Sequence, residues 1–167
     1  MDMQEILNKI YKWTELAGLK LDQDESLGES FGIDFIGSVK SNDFGYNIAI
    51  FKSEELIKLS TYYRFNENTF NVISKFKDKG FEFLSDIQLA LLQMNLNYAF
   101  LDKNNPSDTQ VDIKDIEIEN LESIEISKTI YFDGFNKNLY YDTIESIVHA
   151  AQVITLLFKK LDMKNLV

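Results

Sequence analysis

Residues 138–161, NLYYDTIESIVHAAQVITLLFKKL, form the stretch that decides the fold. Apolar side chains recur there at steps of three and four, the spacing that stacks them on one side of an α-helix. The recurring residues are Ile144, Ile147, Ala151, Ile154, Phe158 and Leu161. Tyr140, Val148 and Leu157 widen this stripe to about half of the helix circumference, which is more than one core contact usually covers. We therefore predict a long terminal helix that buries one side and offers further apolar surface elsewhere.

The further apolar surface interrupts what is otherwise a polar side of this helix. Glu145, Gln152 and Lys159 define the polar side, and Val153 and Leu156 break it. Because exposed apolar clusters mark interaction sites, we expect an interface here, most simply with a second copy of the chain. The residues of the expected interface are His149, Val153, Leu156, Leu157 and Leu161.

Length and composition indicate one domain that folds without metals or disulfides. The chain has 167 residues, of which 45% are apolar, and it contains no cysteine, which excludes disulfides, thiol catalysis and zinc–thiolate sites. No apolar run approaches the roughly 18–20 residues of a membrane span. The first residues lack the basic start and apolar core of a signal peptide. We predict a single domain over residues 1–167, cytoplasmic and without a membrane partner.

The charge of the chain indicates which classes of partner it can bind. The formal net charge is −10, and Arg64 is the only arginine. A negative field repels phosphate backbones, and arginine is the usual reader of phosphate and base edges. We therefore predict that the chain does not bind nucleic acid and suits basic or apolar partners.

The first half of the chain predicts one helix followed by a β-meander. Apolar residues at helical spacing indicate a helix over about 3–17, which Gly18 ends, and a polar loop follows at 22–26. Alternating apolar residues then predict three strands, within 31–39, 46–50 and 57–65. Connections this short join antiparallel neighbours.

The second half predicts more helix, further strands and the terminal helix. Asn66 is a candidate N-cap for a helix with Phe70, Ile73 and Phe76, and the run over 83–95 is apolar nearly all round, so we expect it to be central. Strands are predicted at 97–101, 111–118 and 124–132, with 103–122 as a loop or extra-strand excursion. The fold predicted is α+β: an antiparallel sheet of about five strands, the meander plus two or three, with N-terminal, central and long C-terminal helices on one face.

The end of the first predicted helix carries a resemblance to a known family. Residues 11–19, YKWTELAGL, place a tryptophan and then a glycine there. With the element order, the acidic character and the strong terminal helix, this resembles the type III secretion chaperone-like fold of stand-alone bacterial and archaeal domains. Members of that fold typically dimerise and bind segments of other proteins. The resemblance implies a non-enzymatic, chaperone-like interaction domain, acting as a homodimer with a protein or peptide partner.

No motif predicts catalytic, cofactor-binding or metal-binding residues. His149 is the only histidine, and no Gly-x-Ser-x-Gly elbow or phosphate-cradling Gly-x-Gly-x-x-Gly is present. The oxygen ligands that alternate from Asp102 to Asp112 resemble a calcium loop, but Ser107 and Ile113 occupy its glycine and glutamate positions. An acidic ladder is a solvated sheet face or a docking surface for a basic partner. Its members are Asp112, Asp115, Glu117, Glu119, Glu122 and Glu125.

Two alternatives to an interaction domain stay open at this point. The first is a small-molecule binding protein with an aromatic-lined cavity between sheet and helices. Its expected lining is Phe31, Phe35, Tyr46, Tyr63, Phe100 and Tyr131. The second is a hydrolase that uses carboxylates and a metal, for which a tight cluster of buried carboxylates would be the sign.

Overall fold

The chain is described by a computed structural model that covers residues 1–24, 32–41, 44–65, 80–103, 116 and 120–163. These ranges contain three α-helices: α1 (Met3–Leu16), α2 (Gly80–Gln93) and α3 (Lys137–Met163). They also contain six strands: β1 (Leu21–Gln23), β2 (Phe35–Lys40), β3 (Gly45–Phe51), β4 (Leu56–Arg64), β5 (Asn97–Asp102) and β6 (Leu121–Tyr131). A single 3₁₀ turn, Phe132–Gly134, connects β6 to α3.

The strands form one antiparallel sheet in the order β1-β2-β3-β4-β6-β5, so the predicted α+β class is confirmed. The predicted meander is β2, β3 and β4, in which Gly37 pairs with Ile48 and Ile48 with Leu59. The described sheet has six strands rather than about five. The difference arises from β1, which overlaps the start of the predicted loop and whose three residues pair with Gly37–Val39 at the sheet edge. This strand is too short to show a period in sequence.

The described chain divides into two compact units. Unit 1 contains Met1–Thr61 and Ser127–Ser146, and unit 2 contains Tyr62–Ile126 and Ile147–Val167. The prediction of a single domain over residues 1–167 is not tested by this division and stays a prediction.

In unit 1, α1 and the first turns of α3 pack against the sheet face that carries Tyr46. The side chain of Asp2 caps α1 by accepting a hydrogen bond from the backbone N–H of Glu5, which satisfies one of the otherwise unpaired amides at a helix start. Gly18 follows the helix with a φ of 72° and supplies the predicted stop. The ring of Trp13, at the end of α1, lies 5.7 Å from the ring of Tyr140 in α3. Ring contacts of this kind bury large apolar area and fix the two helices together.

In unit 2, a cluster of aromatic rings joins α2 and the last turns of α3 to β4. The ring of Phe158 stacks on Tyr63, with 5.9 Å between the ring centroids, and meets Phe65 edge-on at 5.3 Å. Phe83 of α2 approaches the same ring to 4.5 Å. Phe158 is therefore the centre of the unit 2 core.

Several predicted elements lie outside the described residues. These are the helix that would begin at Asn66, most of the strand at 111–118 and most of the excursion at 103–122. The other predicted helices are present as α1, α2 and α3 within a few residues of their expected ends. In the described ranges, none of the helices combines the length and the hydropathy that a membrane span requires.

Candidate interaction surface

The buried stripe of α3 is shifted by one residue from the predicted stripe in the first turns of the helix. Ile144 and Ala151 are half-buried, whereas Thr143 and Ala150 are fully buried. The shift has a simple cause, because steps of three and four define a helical side only to within one neighbour, and Thr143 is polar. The residues that α3 buries are Tyr140, Thr143, Ile147, Ala150, Ile154 and Phe158.

The outward side of α3 carries the predicted interface residues. Leu156 is 62% exposed, at the middle of a side that is otherwise polar. Val153 and Leu157 lie next to it on the helix surface and are half-buried. We name these three residues the terminal-helix patch. Leu156 is the exposed centre of this patch, and the use of the patch as an interface stays a prediction.

The two remaining predicted interface residues extend the terminal-helix patch along the helix axis. His149 lies four residues before Val153 and is exposed, and Leu161 lies four residues after Leu157 and is half-buried. Each step of four turns by about 40° around the helix, so this strip of α3 winds from exposed His149 towards the buried stripe, which Leu161 borders seven residues after Ile154. The structure therefore brings the other four predicted residues to one part of the surface and places Leu161 at its edge.

Helix α2 carries a second apolar surface, and the sequence prediction did not expect this surface to be exposed. The run over 83–95 was expected to be central, with apolar contacts all round, and this expectation is wrong. More than half of each side chain is exposed at Phe81 (61%), Leu89 (56%) and Leu92 (57%). At 3.6 residues per turn these residues fall within about 80° of arc, on the side away from buried Ile87. We name them the α2 outer patch.

One signal in the sequence separates the two sides of α2. Leu89 and Leu92 are three residues apart and out of phase with Leu84, Ile87 and Leu91, which is a helix with two apolar sides rather than one broad side. Composition alone does not tell which side is buried. The aromatic contact between Phe83 and Phe158 fixes that choice in the fold.

Charges of opposite sign border the two patches. Every charged residue of α2 is acidic, namely Glu82 and Asp86, and both are exposed. Lys159 and Lys160 are exposed beside Leu156, three and four residues further along α3. No ion pair in the described part of the chain involves any of these four residues.

Unit 1 buries a cluster of hydroxyl groups where α1, β3 and α3 meet. The Tyr140 hydroxyl lies 2.9 Å from the Thr14 hydroxyl and 3.1 Å from the Tyr46 hydroxyl. Burial disfavours the charged phenolate, so it raises the pKa of Tyr140 and that of Tyr46 above the usual 10.0. The phenols stay neutral and act as hydrogen-bonding groups rather than as bases.

The polar residues buried in the described part of the chain all carry hydroxyl groups. They are Thr14, Ser60, Ser123, Ser127 and Thr143. Among the described residues, no three histidines or carboxylates come close enough together to hold a metal ion. Of the acidic ladder, only Glu122, exposed, and Glu125, half-buried, lie inside the described ranges. Asp102 is the one described residue of the calcium-like segment that the sequence singled out as a ligand.

The aromatic residues expected to line a ligand cavity divide between the two units. In unit 1, Phe35 packs edge-on against Tyr11 at 6.3 Å, and Tyr131 is 62% exposed. In unit 2, Phe100 contacts Tyr98 at 5.5 Å. Tyr46 belongs to the hydroxyl cluster of unit 1, Tyr63 belongs to the aromatic core of unit 2, and Phe31 lies outside the described residues.

The fold and the two patches define a small α+β protein with exposed apolar helical surface. The chain belongs to the family described as an uncharacterized conserved protein (DUF2299), whose sequence profile matches residues 6–158. Its fold is similar to the crystal structure of an uncharacterized protein from Methanothermobacter thermautotrophicus, with a TM-score of 0.71 and 15% identity over 92% of this chain and 96% of that chain. At this identity the likeness shows the fold alone. No curated protein matches the chain.

Proposed function

We propose that the protein is a non-enzymatic interaction domain that acts as a homodimer through the strip of α3 that contains His149, Val153, Leu156, Leu157 and Leu161. The observation that carries the proposal is the 62% exposure of Leu156 beside half-buried Val153 and Leu157. Burying a leucine that is otherwise exposed stabilises a complex by about 1.5–3 kcal/mol. A second copy that covers this strip gains that free energy, whereas the isolated chain does not.

The described polar chemistry supports binding rather than catalysis. The buried hydroxyls of Thr14, Tyr46 and Tyr140 hydrogen-bond to one another, and the raised pKa of Tyr140 keeps its phenol protonated at neutral pH. His149, the only histidine, is exposed on α3, where an interface would place it at the rim. We further propose that the protein is chaperone-like and binds a segment of another protein in the cytoplasm. The resemblance of residues 11–19 and the element order support that part.

A pair of matched substitutions tests the proposal. Leu156→Glu places a charge in the strip, and Leu16→Glu places the same charge on α1 at a leucine of equal exposure, 63% against 62%. We expect Leu156→Glu to weaken self-association about tenfold or more, because each 1.4 kcal/mol is a factor of ten. Leu16→Glu should leave it unchanged. Analytical ultracentrifugation over a dilution series measures both dissociation constants.

Two results would count against the proposal. A wild-type chain that sediments as a monomer at high concentration removes the homodimer. Equal dissociation constants for Leu156→Glu and the wild type remove the strip from the interface. Circular dichroism of the variants separates loss of association from loss of folding, since a surface substitution changes stability by about 0.5 kcal/mol or less.

A further inference from the structure

The α2 outer patch and the terminal-helix patch are complementary in chemistry. Both are apolar, and both belong to unit 2. The α2 outer patch lies beside two carboxylates, Glu82 and Asp86, whereas the terminal-helix patch lies beside the two ammonium groups of Lys159 and Lys160. Complementary charge around apolar centres fixes the orientation of protein interfaces and disfavours pairings of like charge.

We infer that the α2 outer patch of one copy binds the terminal-helix patch of a second copy. A two-fold axis relates the two copies, so the contact is made twice. This inference rests on the proposed homodimer and names the surface that meets α3. Pairing α2 with α2 would bring Glu82 and Asp86 of two copies together, and pairing α3 with α3 would do the same for the lysines. The mixed pairing sets the lysines of α3 beside the carboxylates of α2 at both contacts.

Two-fold symmetry also helps to supply the required contact area. In such a dimer every contact between residue i and residue j is repeated between j and i. The helical contact is therefore made twice, and each copy contributes both patches. Four large side chains per copy then leave water: Phe81, Leu89, Leu92 and Leu156. Because the contact is made twice, the surface area buried per partner comes closer to the roughly 800 Å² of a specific interface.

Two charge-reversal variants test the pairing in the full-length chain. Variant one carries K159E and K160E, and variant two carries E82K and D86K. Each variant alone sets like charges against each other at both contacts of its own dimer, so we expect self-association to weaken about tenfold or more. An equimolar mixture restores opposite charges at both contacts. We therefore expect heterodimers that are at least about tenfold tighter than either variant's homodimer.

Native mass spectrometry of the mixture resolves the three dimers if one variant carries a heavy-isotope label. A dominant heterodimer peak, with each variant alone weaker than the wild type, supports the pairing. A statistical 1:2:1 ratio, with each variant as tight as the wild type, overturns it. If only K159E/K160E weakens self-association, α3 pairs with α3 and sets its lysines against acidic residues of the second copy. If neither variant alone is weaker than the wild type but the heterodimer dominates, a patch pairs with the same patch of the second copy, because reversing its charges still leaves like charges together. Either of those results also overturns the inference.

The failure of this inference is distinguishable from the failure of the proposed function. A monomeric wild-type chain removes the homodimer itself. A dimer that Leu156→Glu weakens, while the charge reversals give no preference for the heterodimer, retains the proposed function and removes only the α2 outer patch from the interface. The variants also report on their own folding, because a heterodimer forms only from folded chains.

Discussion

The two halves of α3 differ in the residues that they bury and in the residues that they expose. In unit 1 its inward residues Tyr140 and Thr143 are buried, its outward residues Asp142 and Glu145 are polar, and α1 and β3 supply partners for the Tyr140 hydroxyl. In unit 2 the inward side is apolar around Phe158, and the outward side includes an exposed leucine. One continuous helix thus has a first half that suits water and a second half that exposes apolar surface.

The two halves of α3 therefore have different roles, the first in orienting helices and the second in burying and exposing apolar surface. The hydroxyl cluster fixes how α1 and the first turns of α3 meet, because satisfied buried hydrogen bonds accept only a narrow range of geometries. The aromatic cluster of unit 2 contributes mainly burial, which is not directional. Apolar surface that remains outside such a core is available for association.

The largest expected effect concerns the aromatic core of unit 2. Phe158→Ala removes the ring that contacts Tyr63, Phe65 and Phe83, and we expect it to lower the free energy of unfolding by about 3–5 kcal/mol. Leu156→Ala, two residues away but exposed, should change it by about 0.5 kcal/mol or less at concentrations where the chain is monomeric. Urea denaturation measures both. Equal losses for the two variants would contradict the assignment of inward and outward sides.

A smaller effect is expected in the hydroxyl cluster of unit 1. Tyr140→Phe removes the group that bonds to Thr14 and Tyr46 and leaves their hydroxyls buried, so we expect a loss of about 1–3 kcal/mol. Tyr131→Phe alters a side chain that is 62% exposed and should be close to neutral. The same denaturation experiment compares them. A neutral Tyr140→Phe would show that the cluster does not contribute to stability.

The smallest predicted effect is a dependence on alkaline pH. The pKa of Tyr140 is raised in the folded chain by burial, so the unfolded chain loses this phenol proton first. Its contribution to stability is therefore complete below the unfolded pKa of 10.0 and declines as the pH rises through that value. At pH 10 the decline is about 0.4 kcal/mol for one phenol.

Comparison of the wild type with Tyr140→Phe measures this term together with the change at Tyr46, whose hydroxyl bonds to that of Tyr140. The stability advantage of the wild type should be smaller at pH 10 than at pH 8. An advantage that is constant, or that grows with pH, would contradict the assigned direction. Denaturant titrations at the two pH values give the required free energies.

The sequence predicted the parts of the fold in which one period dominates. Alternating apolar residues predicted the strands of the meander. Apolar residues at steps of three and four predicted α3 and the apolar residues on its outward side. The predicted interface residues follow one another along α3 in a strip that winds towards the buried stripe, and their use as an interface stays a prediction. These features depend on local geometry, which a sequence pattern records directly.

The sequence did not predict the features that depend on distant partners. The pairing of β1 with β2 relies on Gly37, where a side chain would come within 2.7 Å of Leu21, and no local pattern shows that contact. The burial of Thr143 and the exposure of Phe81 follow from which side of each helix meets the core. For α2, two apolar sides were available, and long-range packing selected one of them.

The most direct test of the central claim is sedimentation equilibrium of the wild-type chain from micromolar to millimolar concentration. If the second half of α3 is covered by a second copy, the measured mass should rise with concentration from the monomer value of 19.4 kDa towards twice that value. A mass that stays at the monomer value over the whole range would contradict the account.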